Sequence, residues 1–221
     1  MNPSEEKKLI ELEEQLSCPD GKIGREVAEM MHKTNISMTK SSIDLLNIHD
    51  KELILEIGHG NCGHINYLLS KASSLSFIGL EISKTMKIEA ENQKITSDHT
   101  RVSFDLYDGK SLPLADLSVD KILTVNTLYF WEKPQKLLHE IARVLKKNGT
   151  LIITFANKEF METLPFVRKK FKLYNIDDIL FLIKNSTLEI ASTVKKTEKI
   201  KSKTGNLVNR QFTIAILKHK S

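Results

Sequence analysis

The chain has few of the residues and segments that mark disulfide-braced, metal-bound or membrane-spanning proteins. Among its 221 residues only Cys18 and Cys62 are cysteines, and neither has a partner at metal-ligand or redox spacing. We therefore expect no disulfide framework, no zinc site and no metal in the functional site. No run approaches the roughly 18 to 20 apolar residues that a membrane span needs.

Charge is present in both signs, with a modest basic excess. The 33 Lys and Arg against 28 Asp and Glu give a net charge of +5, and the first residues, MNPSEEKKLIELEEQL, are too acidic and polar for a secretion signal. These features predict a cytoplasmic protein. The one basic concentration comprises Lys195, Lys196, Lys199, Lys201 and Lys203. No aromatic residue is interleaved there, which favours a solvated hairpin over a nucleic-acid surface.

From Glu52 onward the pattern alternates between strand and helix, which is typical of a parallel sheet in one α/β domain. The expected strands are Leu53–Ile57, Leu75–Leu80, Val102–Leu106, Lys121–Val125 and Thr150–Phe155. The expected helices between them are Gly63–Lys71, Lys84–Ile95 and Pro134–Lys147. Pro134 suits a first helical turn, and Asn148 with Gly149 suggests a C-cap.

Segments outside this core complete the single domain. A surface helix is expected over residues 1–16, a turn over 17–24, and further helices over Arg25–Lys33, Thr39–Asn47, Glu159–Phe171 and Ile176–Asn185. Leu188–Lys196 and Arg210–Lys218 should form a long hairpin at the sheet edge. The domain therefore divides into an N-terminal helical cap and substrate lid (1–49), a cofactor-binding core (50–156), and a helical insertion with the hairpin (157–221).

The stretch LILEIGHGNCGHI, residues 53–65, is the first sign of a nucleotide site. Its strand turns through Gly58 and Gly60, and glycine lets the backbone turn sharply and approach a ligand closely. With Gly63, these residues match the spacing G-x-G-x-x-G of dinucleotide sites. That match alone is weak and leaves the cofactor open.

Three carboxylates narrow the choice of ligand. Glu81 lies 23 residues past Gly58, where a strand-end acid can accept hydrogen bonds from both ribose hydroxyls. Glu56 lies two residues before the first glycine, where a carboxylate repels a pyrophosphate but attracts an ammonium or sulfonium. Asp108 follows the third strand, within reach of an adenine amino group. A cationic nucleoside is therefore the favoured ligand.

Residues from about 50 to 156 resemble a known protein family in four stretches that occur in the family's order. These are LILEIGHGNCG, FIGLEISKTM, LYDGKSLPLADLSVDKI and LHEIARVLKKNGTLIIT. They resemble class I S-adenosylmethionine-dependent methyltransferases, in the group that includes the ubiquinone and menaquinone-biosynthesis C-methyltransferases. The resemblance implies an α/β, Rossmann-like, doubly wound sheet of seven strands, mostly parallel with an antiparallel C-terminal hairpin strand. It also implies S-adenosyl-L-methionine as cofactor and S-adenosyl-L-homocysteine as product.

The same resemblance implies a set of cofactor-binding residues. Those under the methionine portion are Glu56, Gly58, His59 and Gly60; Glu81 is similar to the ribose acid; Ile82, Asp108 and Gly109 resemble the adenine contacts; and the backbone of Asn126 resembles the group that approaches the methionine amino group. Two positions depart from the pattern. Cys62 replaces the third glycine, which we expect to weaken rather than abolish binding, and Tyr107 replaces the glycine before Asp108.

Methyl transfer from a sulfonium is an in-line displacement, so positioning and exclusion of water can supply most of the catalysis. A general base is needed only for some acceptors, and the two weak candidates are His59 in the glycine turn and Tyr129 after the fourth strand. Packing is the more ordinary role for each. His32, His64 and His139 lie in helical stretches, where structural or solvent roles are expected.

The expected acceptor is a small, apolar or aromatic metabolite. Gly24–Thr39, Asn126–Trp131 and Asn157–Asn185 should supply methionines and aromatic residues to its pocket. Nucleic acid is disfavoured, because the Pro-Pro-aromatic element of amino-methylating enzymes is missing after Asn126. An NAD(P)-dependent oxidoreductase, and a cofactor-binding protein of the same fold with little turnover, remain alternatives. The identity of the acceptor and the oligomeric state are not determined by the sequence.

Overall fold

Seven strands form one mixed sheet in the computed structural model, which describes residues 2–96, 101–201 and 207–220. The strands are β1 (Leu53–Ile57), β2 (Ser76–Glu81), β3 (Arg101–Leu106), β4 (Val119–Val125), β5 (Leu145–Ala156), β6 (Leu188–Lys201) and β7 (Leu207–His219). Their order is β3-β2-β1-β4-β5-β7-β6. The first five are parallel, whereas β7 runs antiparallel to both of its neighbours.

Helices cover the sheet. They are α1 (Pro3–Ser17), α2 (Gly21–Leu45), α3 (Ile65–Leu69), α4 (Lys84–Glu91), α5 (Pro134–Val144), α6 (Lys158–Glu162) and α7 (Ile176–Ile183), with a short 3-10 turn at Leu128–Phe130. Within the described ranges, no helix combines the length and the apolarity that crossing a membrane requires. The first helix begins with a capping box, in which Asn2 and Glu5 bond each other's backbone amides.

Two apolar cores lie on opposite faces of the sheet, because successive strand residues point to opposite sides. On β1, Leu55 belongs to the core under α5 and α7, whereas Ile54 belongs to the core with residues of α2 and α3. On β5, Ile153 belongs to the core under α5 and α7, and Ile152 belongs to the core with α2 and α3. The sheet is thus buried on both sides, as in other doubly wound α/β folds.

The predicted fold class is confirmed. Each of the five predicted parallel strands is present with its ends within a few residues, and the two C-terminal strands form the expected hairpin. Both strands are longer than predicted. Three lysines of the basic run, Lys195, Lys196 and Lys199, are exposed on β6. The connection over 202–206, with Lys203, lies outside the described residues.

Our prediction of two helices, Arg25–Lys33 and Thr39–Asn47, is wrong. A single helix of 25 residues, α2, spans both segments. The polar residues between them satisfy carbonyl groups of their own helix: Thr34 Oγ1 donates to the carbonyl of Met30 and Thr39 Oγ1 to that of Asn35. The helix continues through this polar stretch with both hydroxyls bonded inside it.

The prediction that Asn148 and Gly149 cap α5 is also wrong. The helix begins at Pro134, as expected, but ends at Val144, and β5 starts at once with Leu145. Register shifts between β4 and β5 in this region, and a side chain at Gly149 would collide with Leu145. Close approach of the chain to itself, rather than a helix end, accounts for this glycine.

The helix predicted over Glu159–Phe171 is much shorter. It ends at Glu162, three residues before Pro165, whose ring disfavours helical backbone in the preceding residue. The following segment is held instead by α1. Buried Glu13 accepts hydrogen bonds from the amides of Arg168 at 3.1 Å and Lys170 at 2.8 Å.

Candidate functional site

A cavity of about 170 Å³ opens at the carboxyl ends of β1, β2 and β4. The strand order reverses between β1 and β4, and ligands of open α/β sheets bind outside the strands at such a switch point. The opposite wall comes from the end of α1 and from α2, through residues that include Leu16, Ala28, Met31 and Asn35. The predicted cap region therefore lies over the ends of the strands.

The glycine turn forms the floor of this cavity. Gly58 and Gly60 have φ angles of +72° and +58°, a left-handed conformation that glycine adopts without strain. A side chain at Gly58 would collide with Thr127, whereas one at Gly60 would meet no atom within 4 Å. Gly60 thus keeps open a space that a side chain would enter. Gly63 serves packing, since a Cβ there would lie 2.7 Å from the His32 ring.

Glu81 ties the end of β2 to the turn. Its carboxylate accepts hydrogen bonds from the amides of Gly60 at 3.1 Å, Ile82 at 2.8 Å and Ser83 at 3.2 Å. The side chain is buried, yet it lines the cavity. A carboxylate has about four lone-pair sites, so three amide bonds leave room for a ligand hydroxyl.

Beside Glu81, the cavity has an apolar slot. Ile82 lines it although 44% of this residue is exposed, and Gly109 faces Ile82 closely enough that a Cβ would lie 3.5 Å from its Cγ2. Asp108 is exposed and does not line the cavity. Its Oδ1 accepts from the amides of Ser111 and Lys110, and these bonds lower the pKa of the carboxyl.

Asn126 terminates β4 in a left-handed conformation with φ +58°. Its amide donates to the carbonyl of Thr154, and its side-chain oxygen accepts from the Tyr129 hydroxyl at 3.1 Å. The residue lines the cavity. Its conformation, uncommon outside glycine, turns the chain abruptly at the mouth of the site.

Both weak candidates for a base are buried. Nδ1 of His59 donates to the Gly60 carbonyl at 2.8 Å, and its buried Nε2 has no partner among the residues that the structure describes. The ring packs on Phe104, and burial lowers its pKa. The Tyr129 hydroxyl accepts from the amide of Ala156 at 2.6 Å, and burial raises its pKa. Tyr129 lies in the core, whereas His59 lines the cavity, and a role for either as a base stays a prediction.

Cys62 does not line the cavity. Its side chain is fully buried in the core with residues such as Ile65 and Leu69, and burial raises the pKa of its thiol. The backbone has a φ of +51°, which explains why glycine suits this position. The departure from the family pattern therefore places strain in the turn and leaves the cavity wall unchanged. Cys18, the second cysteine, is exposed.

The structure adds two histidines to which the sequence assigned no role in the site. Nε2 of His64 lies 2.7 Å from Oε2 of Glu56, and both side chains are buried in the cavity wall. His32, on α2, lines the same end of the cavity. Their spacing carried no signal, because the approach of residues 32, 56 and 64 depends on how α2 crosses the turn.

Glu56 and His64 also lie near Cys62, with one oxygen, nitrogen or sulfur atom of each residue within 4.8 Å of the others. Tetrahedral ligands at about 2.0–2.1 Å from an ion stand roughly 3.3 Å apart. The 2.7 Å between Glu56 and His64 is instead the length of a charge-assisted hydrogen bond. We assign this group as a hydrogen-bonded acid–imidazole pair.

Comparison with known proteins identifies the family. The family described as "Methyltransferase domain" matches residues 55–153. Methyltransferase GfsG of Streptomyces halstedii is 29% identical over 118 residues, which are 52% of this chain and 42% of that protein. An uncharacterised protein of Methanocaldococcus jannaschii is 32% identical over 152 residues, 68% of each chain.

A solved structure has the same fold. It is described as a complex between the Haloferax volcanii Trm112 methyltransferase activator and a methyltransferase. The matched chain superposes with a TM-score of 0.69 at 18% identity, over 88% of this chain and 94% of that one. With the family match to the strands that build the cavity, these findings show that the chain belongs to the class I S-adenosylmethionine-dependent methyltransferases.

Proposed function

We propose that the protein transfers the methyl group of S-adenosylmethionine to a small, apolar or aromatic metabolite. The observation that carries the cofactor assignment is the open space over Gly60, flanked by a buried carboxylate at Glu81 and by the slot between Ile82 and Gly109. These features suit a nucleoside with ribose hydroxyls and a flat base. The chain spans 42% of GfsG, so nothing about that protein's substrate is transferred here.

The bound cofactor supplies an electrophilic methyl group on a sulfonium. The roles of the chain follow from its own groups. Glu81 accepts the ribose hydroxyls, Ile82 and Gly109 contact the adenine, and Asp108 accepts from the adenine edge through Oδ2. Glu56 and the backbone of Asn126 attract the ammonium group, since a carboxylate and a carbonyl both favour a cation. Gly58, His59 and Gly60 hold the turn that places these groups.

The apolar part of the cavity wall supports a small, apolar or aromatic acceptor. Met31, Phe130 and Trp131 line it, and Trp131 is fixed by a hydrogen bond from Nε1 to Thr127 Oγ1 at 3.1 Å. Behind them, the rings of Phe130 and Phe171 lie 4.7 Å apart. Rigid aromatic walls bind apolar surfaces at little cost in conformational entropy.

The proposal relies on positioning and dehydration and requires no base. Residues 1–49 serve as the lid in this scheme, because α1 and α2 close the cavity opposite the sheet. Closure keeps water away from the electrophilic methyl and holds the acceptor in line. The core and the C-terminal segment, 50–156 and 157–221, supply the cofactor floor and the sheet edge.

Mass spectrometry tests the proposal directly. The protein is incubated with S-adenosylmethionine carrying a trideuterated methyl group and a small-molecule extract, and labelled products are sought alongside S-adenosylhomocysteine. We expect a labelled apolar or aromatic product that disappears with Glu81→Ala. Cofactor binding without any labelled product would favour a binding protein of the same fold. No binding of either cofactor form near millimolar concentration would overturn the proposal.

A further inference from the structure

The proposed cofactor cavity contains carboxylates but no permanent cation. Among the described residues that line it, Glu56 and Glu81 are acidic, and none is a lysine or an arginine. S-Adenosylmethionine ends in an amino acid, which brings a carboxylate together with its ammonium group. Enclosing a carboxylate without a compensating cation or donor is costly. The wall must therefore supply hydrogen-bond donors, and any positive charge must come from a group other than lysine or arginine.

Histidine is the remaining source, and three histidines line the cavity. His59 is unsuitable. Its Nδ1 hydrogen is used by the carbonyl of Gly60, and its Nε2 is sealed against Phe104 and Gly79, away from any ligand. His32 and His64 are left to meet the carboxylate.

His64 has one ring nitrogen, Nδ1, that is left for a ligand. A carboxylate oxygen only accepts, so the 2.7 Å bond to Glu56 places a hydrogen on Nε2 of His64. Its Nδ1 bonds to no described residue. His64 lines the cavity, so Nδ1 is the nitrogen of this side chain that is left to meet a ligand.

His32 approaches from the lid. Its ring lies over Gly63, with ring atoms 2.7 to 3.1 Å from the position of a Cβ, so glycine is required for this approach. The ring makes no hydrogen bond within the described ranges. His64, next to Gly63 in the chain, contributes to the lowering of the pKa of His32. Helix α2 thus brings a second imidazole to the same end of the cavity.

We propose that His32 and His64 bind the carboxylate of the cofactor's amino-acid end, and that this binding takes up a proton at the imidazole pair. The inference rests on the cofactor assignment proposed above. It makes cofactor capture dependent on pH and selective for ligands that carry the carboxylate.

The direction of the pH dependence follows from the charges around the pair. Burial lowers the pKa of His32, with a further lowering from His64, so the free protein holds His32 largely neutral at neutral pH. The other groups facing His32 are Glu29, Lys33 and Lys40 on its own helix. A bound carboxylate favours the imidazolium, so a proton enters on binding, and affinity falls as pH rises.

From the sheet side, the groups facing His64 are Glu56 on β1 and the thiol of Cys62 in the turn. The imidazole of His59 lies within electrostatic range, and Glu81 acts on that ring from the end of β2. The incoming carboxylate adds negative charge beside the imidazoles, and the proton taken up is therefore assigned to His32, whose pKa is lowered by burial in the free protein.

Isothermal calorimetry with two ligands tests the inference. S-Adenosylhomocysteine carries the amino-acid end, whereas 5′-methylthioadenosine has the same nucleoside without it. Titrations at neutral pH in phosphate and in Tris, buffers of different ionisation enthalpy, give the number of protons taken up. We expect uptake of up to one proton with S-adenosylhomocysteine and none with 5′-methylthioadenosine, and an affinity that falls with pH for the first ligand alone.

The variants His32→Gln and His64→Gln should each lower the affinity for S-adenosylhomocysteine roughly 10-fold, the loss of a charged hydrogen bond, and reduce the proton uptake. Affinity for 5′-methylthioadenosine should stay within about 2-fold, which also shows that the variants fold. His139→Gln, on the exposed side of α5, is the matched control and should change neither ligand.

The outcomes separate this inference from the cofactor assignment. Binding of both ligands without proton uptake, or an equal loss for both in the histidine variants, overturns the role of the pair while leaving the cofactor site intact. Binding of neither ligand by the unaltered protein overturns the cofactor assignment and the inference with it.

Discussion

Cys62 adopts a left-handed backbone conformation while its side chain is buried away from the cavity. A residue other than glycine costs roughly 1–2 kcal/mol in this conformation. The thiol recovers part of that cost by filling the core beneath the turn. At the scale of single residues, the turn is therefore strained at Cys62. Its left-handed glycines and the hydrogen bonds of Glu81 to backbone amides stabilise its conformation.

We predict that Cys62→Gly changes the free energy of unfolding by no more than about 1 kcal/mol, because relief of strain and loss of burial oppose each other. Affinity for S-adenosylhomocysteine should stay within about 2-fold, since the thiol does not line the cavity. Urea unfolding and calorimetry measure the two quantities. A large gain in affinity would instead show that the cysteine obstructs the site.

Glu81→Ala should weaken S-adenosylhomocysteine binding by about 1 to 3 kcal/mol, because ribose hydroxyls lose their acceptor and three amides lose theirs. Calorimetry measures the loss, and Glu91→Ala on the exposed side of α4 is the control. Unchanged affinity in Glu81→Ala would mean that the ribose lies elsewhere.

At the scale of elements, α2 is tied both to the sheet and to the hairpin. Ser42 hydrogen-bonds Thr154 on β5 at 2.6 Å. Buried Arg210 on β7 donates to Asn35 Oδ1 at 2.6 Å and to the Thr34 carbonyl at 2.7 Å, while its cross-strand neighbour Glu198 accepts from the same guanidinium. Helix α2 is therefore held along its length.

Arg210→Ala should lower the free energy of unfolding by about 3–5 kcal/mol, because it leaves Glu198 as an unpaired, largely buried charge. Adding Glu198→Ala should recover part of that loss. Urea unfolding of the single and double variants measures the coupling. Arg168→Ala, which removes a surface pair with Glu6, should cost no more than about 1 kcal/mol. Equal losses in Arg210→Ala and the double variant would contradict this.

At the scale of the whole molecule, the cavity is built from elements distant in the chain. One wall comes from α1 and α2, the floor from the ends of β1 and β2, and the remaining wall from the segment after β4. A ligand that contacts all of these binds the folded state and not the unfolded chain. Binding energy is then added to folding stability.

Saturation with S-adenosylhomocysteine at 100 times its dissociation constant should stabilise the protein by about 2.7 kcal/mol. For a chain of 221 residues this corresponds to a rise of roughly 5–10 °C in melting temperature. Differential scanning calorimetry measures the shift. NADH at equal concentration should produce none. A shift with NADH alone would support the nicotinamide alternative.

The sequence by itself determined the alternation of strands and helices, the glycine turn and the order of its acids. These are local properties: apolar periodicity, turn residues and motif spacing act within a few tens of residues. Glu56, Glu81, Ile82, Gly109 and Asn126 line one cavity, whereas Asp108 of the same set does not, and their binding of a cofactor stays a prediction.

Only the tertiary structure decided which side chains meet there. The crossing of α2 brings His32 to Gly63, and the turn brings His64 to Glu56, contacts that no spacing encodes. Folding also turns Cys62 and Tyr129 into the core, because burial of a side chain depends on what packs over it. Tertiary hydrogen bonds also hold the segment after α6, where Glu13 of α1 accepts from the amide of Arg168.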